Sequence, residues 1–133
     1  MFSQKVDKPW GYEIILTKPN LPYTAKLLFI KTGEQTSLQR HDQKKETLTL
    51  VSGSCQIVIG TDQQSLTTTD MQINTGYTIE PNTIHQIVSQ QDCLIFEAST
   101  PETGTTYRLK DKYGRQDESE EIRKSERQDE EEQ

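Results

Sequence analysis

Short apolar runs broken by polar turns fill the chain from residue 12 to residue 98. The clearest is Thr24 to Lys31, where Ala25, Leu27 and Phe29 share one face and Leu28 and Ile30 the other. That period of two is the mark of a strand. Further strands are predicted at Tyr12 to Leu16, Thr47 to Val51, Cys55 to Ile59, Gly76 to Ile79, His85 to Val88 and Cys93 to Ala98. Gln64 to Thr67 and Met71 to Ile73 carry weaker versions of the pattern. Turn signals separate these runs: Thr32-Gly33, Ser52-Gly53, Gly60-Thr61-Asp62, Asn74-Thr75-Gly76, Glu80-Pro81-Asn82 and Gln90-Gln91-Asp92. No amphipathic helix is legible before residue 110. Many short strands at regular spacing predict an all-β sandwich or barrel.

Charge changes the picture only at the C-terminus. The chain has 133 residues and a formal charge of −6. Residues 116–133 hold nine acids and three bases, so residues 1–115 are formally neutral. The expected organisation is one folded domain over 1–115 and a solvated acidic tail over 116–133, disordered or transiently helical. A short helix from Glu118 to Arg127 would have no apolar face with which to dock. A neutral body with an acidic tail argues against a nucleic-acid partner. No run approaches the ~18 apolar residues of a membrane span. The start, MFSQKVDKPW, lacks the apolar stretch of a signal peptide. Cys55 and Cys93 form no CxxC pair and sit in apolar strand patterns, so both are expected to be reduced core residues. The expected setting is cytoplasmic.

The chemistry concentrates on the only two histidines. His41 lies in Gly33-x5-Gln39-x-His41-x4-Glu46-x6-Gly53, and His85 closes Gly76-Tyr77-Thr78-Ile79-Glu80-Pro81-Asn82-Thr83-Ile84-His85. Gln39 and His41 are alternate residues on a strand and so project into one space. Glu46 begins the next apolar strand, and a second turn delivers His85. Two imidazoles, a carboxylate and an amide oxygen suit a divalent metal.

These two spaced half-motifs resemble the signature of the cupins, with glutamine at the first histidine position. Lys8-Pro9-Trp10-Gly11-Tyr12-Glu13, Gly33-Glu34-Gln35-Thr36-Ser37-Leu38-Gln39-Arg40-His41 and Asp111-Lys112-Tyr113-Gly114-Arg115 narrow the resemblance. Together they are similar to the C-terminal cupin domain of type II mannose-6-phosphate isomerases, over residues 8 to 115. The resemblance implies a jelly-roll β-barrel and a homodimer with the Trp10 segment near the interface. It implies Gln39, His41, Glu46 and His85 as metal ligands, the same Gln-x-His pair being zinc-binding in type I phosphomannose isomerases. Zn²⁺ is the expected ion, with Mn²⁺, Fe²⁺, Co²⁺ or Ni²⁺ also compatible with such donors. Without the nucleotidyltransferase domain that precedes this cupin in the type II enzymes, a bifunctional protein is not expected.

The activity implied is isomerisation of a sugar phosphate, mannose 6-phosphate in the family, by proton transfer between C1 and C2. Lys44 is the candidate acid–base, since type I enzymes show a lysine at a similar offset; the competing reading of Lys44 and Lys45 is a solvated turn. Arg115 is the candidate for the phosphate, against a role as an anchoring salt bridge. Arg40 should alternate outward and miss the cavity. Trp10 either stacks a sugar or packs the N-terminal strand, and burial is the commoner use of such an aromatic. Two other functions stay open: a non-catalytic or regulatory cupin that binds sugar or metal, and another metallocupin enzyme such as a dioxygenase. The loss of one imidazole to Gln39 argues against the last.

Overall fold

A computed structural model of the chain describes residues 1–132, with side chains through Arg127. Nine strands form one continuous antiparallel sheet that curls into a cupin barrel. They are β1 (Gln4–Lys8), β2 (Gly11–Ile15), β3 (Thr24–Ile30), β4 (Leu38–His41), β5 (Glu46–Gly60), β6 (Thr67–Asp70), β7 (Gly76–Ile79), β8 (Ile84–Ser99) and β9 (Thr106–Lys110). The path β1-β2-β3-β8-β4-β9 is one wall, and β5 joins it through β8 while carrying β6 and β7 on its other edge.

Four of the expected strands merge into two. Thr47–Val51 and Cys55–Ile59 are halves of β5; His85–Val88 and Cys93–Ala98 are halves of β8. The turn signals between them mark irregularities rather than reversals. The β5–β8 register shifts between Leu50 and Ser52, between Ser52 and Ser54, and between Ser54 and Cys55. Gly53 sits there with a φ of 90°, and a side chain at this position would run into the Asp92 carbonyl. Glycine allows the backbone approach, and bulges bend a strand while raising its twist. Both long strands therefore turn the barrel corner together.

β1 and β9 lacked a strong apolar alternation. β1 forms because Lys8↔Gly11 begins a hairpin register onto β2. β9 forms because its residues pair with β4 across His41↔Thr106 and Gln39↔Arg108. The apolar core is built on Ile30, Leu50, Ile57, Ile79 and Ile95, with Trp10, Cys55 and Cys93 packed into it. Trp10 is buried, as the packing reading of it expected, and also reaches the cavity wall. Both cysteines are free and buried.

The expected solvated tail is instead drawn onto the barrel through its first part. Thr106 and Glu118 exchange two backbone hydrogen bonds of 2.9 Å. A helix, α1 (Glu120–Glu132), follows. Ser119 caps it, its hydroxyl accepting from Ile122 N at 3.2 Å, with Glu120 and Glu121 favourably placed in the first turn. The helix has no apolar face and docks by charge. Arg123 is buried and bonds Glu118 at 2.8 Å and the Glu102 carbonyl at 3.0 Å. Arg127 bonds the Glu102 carboxylate at 2.6 Å, and its own carbonyl accepts from Gln4. The side chains of 128–133, the rest of the expected tail, lie outside the described residues. Among the described residues no helix is long and apolar enough to cross a membrane.

Candidate metal centre

β4 carries Gln39 and His41 to the barrel interior, Glu46 opens β5, and His85 is the second residue of β8. Asn82, at a φ of 66°, donates its amide to the His41 carbonyl at 2.7 Å, and Arg40 donates to the Asn82 side chain at 2.8 Å. The turn that delivers His85 is thus fastened to the strand that carries His41. Arg40 faces outward over the Tyr107 ring, as its alternation required.

His41, Glu46 and His85 converge, with one donor atom from each lying within 4.8 Å of the others. All three are buried. His85 Nε2 lies 3.0 Å, and His41 Nε2 3.6 Å, from Glu46 Oε1. Neither ring nitrogen has a hydrogen-bond partner. The opposite nitrogens are tied down: His85 Nδ1 to the Thr83 carbonyl at 3.0 Å, His41 Nδ1 to the Thr106 hydroxyl at 2.8 Å. A carbonyl can only accept, so the contact with Thr83 puts a proton on His85 Nδ1 and leaves Nε2 facing Glu46. This anchoring of the far nitrogen is the usual support of a metal-binding imidazole. Burial, and then the charge of Lys44, pulls the His41 imidazole down to about 4, so it is neutral. Burial pushes the Glu46 carboxyl up, but Lys44 and the two imidazoles outweigh it and hold it well below the usual carboxylate range. Two imidazole nitrogens left unpaired beside a carboxylate fit a divalent cation.

Gln39 lines the same cavity, opposite His85 across the β4–β8 pairing. Its amide oxygen accepts from the Ser37 hydroxyl at 3.0 Å and retains a second lone pair.

Lys44 is not in a solvated turn. It is buried, with its Nζ 3.1 Å from Glu46 and 3.2 Å from Glu97. Burial pulls its pKa down, but Glu46, Glu97 and Glu102 outweigh that and hold it well above the ordinary lysine value. Such an ammonium can position or donate but cannot act as a base. Beside it lies a titratable group that sequence reasoning missed. Glu97, buried on β8, accepts from Ser99 at 3.0 Å and from Lys44 at 3.2 Å. Burial pushes its carboxyl up; Lys44 and Lys26 pull it down, Glu46 and Glu102 push it up, and it settles at about 7. Arg115 reaches the cavity wall, but its guanidinium grips Asp111 at 3.0 and 3.1 Å. Five cations (Lys8, Lys26, Lys44, Arg108, Arg115) and five glutamates (Glu13, Glu46, Glu97, Glu102, Glu118) line this one interior.

The mannose-6-phosphate isomerase C-terminal family matches residues 1–95. The chain belongs to that family. No curated protein matches it. Among solved structures, the capsular polysaccharide assembling protein CapF from Staphylococcus aureus superposes with a TM-score of 0.67 at 13% identity, over 90% of this chain and 32% of CapF. An oxalate decarboxylase variant from Bacillus subtilis gives 0.68 at 16% identity, over 80% of this chain and 30% of that one. KdgF from Halomonas sp. gives 0.62 at 15% identity, over 77% of this chain and 89% of KdgF. This family member thus spans about a third of the CapF and decarboxylase chains. At these identities the likeness establishes the cupin fold and leaves the activity to the site.

Proposed function

We propose that this protein is a metal-dependent aldose–ketose isomerase acting on a sugar phosphate of the mannose-6-phosphate type. The observation that carries the reading is the pair of unpartnered imidazole nitrogens aimed, inside the curled sheet, at Glu46. His41, Glu46 and His85 would hold the ion, with Gln39 beside them; Zn²⁺ is the first choice, and Mn²⁺, Fe²⁺, Co²⁺ or Ni²⁺ suit the same donors. When bound, the ion supplies Lewis-acid polarisation of the sugar oxygens. The remaining work falls to the chain. Glu97 takes the proton from C2 and returns one at C1, since a group near 7 exists in both forms at neutral pH. Lys44 holds Glu97 and Glu46 at fixed separation and keeps its positive charge beside the developing negative charge. Arg115 is one of the cavity cations on offer to the phosphate.

A second reading has an observation of its own. The cavity is about 80 Å³, well below the ~300 Å³ at which ligand pockets begin. An interior of that size suits a cupin that binds a metal without turning over a sugar. One experiment separates the two. Metal-reconstituted protein in deuterated water is expected to exchange the C2 proton of mannose 6-phosphate, read by NMR. Full metal occupancy with no exchange would leave the binding reading in its place. Elemental analysis tests the centre itself: His41→Ala and His85→Ala should each lose the bound ion, and retention in both would remove the site.

A further inference from the structure

Arg108 occupies the interior next to the His–Glu cluster. Gln39 has His85 as its cross-strand neighbour on β8 and Arg108 on β9. Thr106 and Arg108 are two apart on β9 and so project to one face, the first to His41 and the second into the cavity. The Arg108 side chain is 6% exposed. Its two Nη atoms are used, one on the Gln116 carbonyl at 2.7 Å and one on Glu118 at 3.3 Å. Its Nε is buried with no partner. A buried guanidinium donor left unpaired is costly and is the kind of group an oxyanion satisfies.

Glu118 is the acid beside it, and it does not come from the barrel wall. The segment after β9 folds back and inserts this carboxylate between Arg108, Lys8 at 3.7 Å and Arg123 at 2.8 Å. With Glu118 in place the cavity is about 80 Å³, too small for a sugar phosphate or sugar acid.

We infer that Arg108 and Lys8 form a binding site for the anionic end of a small ligand, a phosphate or a carboxylate, and that Glu118 is a tethered occupant which this ligand displaces. Exchange of one anion for another keeps the interior charge-balanced. It also frees Arg123 from Glu118, loosens α1 and enlarges the cavity. The inference rests on the proposed function only in placing the other end of the ligand at the His–Glu cluster.

The test is calorimetric titration of the full chain with inorganic phosphate and, in a parallel arm, acetate, with metal removed by chelator. Glu118→Gln is expected to bind the preferred anion at least about tenfold more tightly than the wild type, the gain from removing one charge-assisted competitor. Adding Arg108→Met should abolish that gain. The tighter of the two anions names the ligand group. A second arm needs no variant: saturating anion should accelerate amide exchange at Ile122 and Arg123 in the wild type. Equal affinity of wild type and Glu118→Gln, no binding to either, binding that survives Arg108→Met, or unchanged exchange in α1 would each overturn the inference. Because no metal is present, failure of the isomerase assignment leaves this result standing, and failure here leaves metal binding by His41, Glu46 and His85 untouched.

Discussion

Glu97 carries the pH dependence expected of this site. Its carboxyl sits at about 7, and in the proposed isomerisation only the ionised form can accept the C2 proton. The rate should therefore rise with pH through about 7. Glu97→Gln should remove that rise and lower kcat/KM by ~10²–10⁴, with bound metal unchanged by elemental analysis. A mutant that keeps the rising limb would assign the base elsewhere. The contrast with the proposed metal ligands is instructive. The meeting of His41, Glu46 and His85 could be read from the chain because the histidines are the only two and the His41–Glu46 spacing is short. Glu97 could not, because one glutamate among alternating apolar residues looks like an outward position. Its burial depends on β8 lying between β3 and β5, which no local pattern encodes. Lys44 was half legible: its offset from His41 marked it as a candidate, while its polar neighbours suggested solvent. Three carboxylates, two of them distant in sequence, pull it inward.

The long strands and the terminal helix each make a prediction. Gly53→Ala puts a methyl group against the Asp92 carbonyl in a backbone conformation that suits glycine. It should cost at least about 2 kcal/mol, measured as a shift in urea midpoint; a loss under about half that would mean the bulge relaxes freely. Acid should release α1. Burial pushes the Glu118 carboxyl up, but Lys8 and Arg123 outweigh it and hold it down at about 2. The carboxylate's contribution is complete above the unfolded value near 4.5 and is lost as pH falls from there through about 2. It is on the order of 3 kcal/mol. Amide exchange at Ile122 should quicken across that window before exchange at Ile95 does. Simultaneous release of both would show that α1 and the barrel melt as one. The sequence offers the helix as a short possibility but not its docking, because apolar periodicity cannot report a face that packs through Arg123 and Arg127. The bends in β5 and β8 were foreseen as turns, since Ser52-Gly53 reads the same whether the chain reverses or bulges.

For the molecule as a whole, the proposed metal centre links folding to ion binding. The two histidines and Glu46 are preassembled only in the folded barrel, so an ion at a hundred times its Kd should add about 2.7 kcal/mol of stability. Tm should rise by several degrees on adding Zn²⁺ to chelated protein, and His85→Ala should abolish the rise. A melt insensitive to every divalent ion tried would contradict the centre. The ten charged side chains around this interior also constrain its ancestry. Removing one member of a buried pair strands its partner's charge at a cost of ~3–5 kcal/mol, whereas exchanging both for apolar residues of similar volume is often neutral. Lys26, with Glu13 at 3.4 Å and Glu102 at 2.6 Å, is locked in this way to two other positions. Lineages of this barrel should therefore change their interior in matched steps. Glu13, Lys26 and Glu102 should be inherited together or lost together, and a substrate preference written in these residues would shift by jumps rather than by drift.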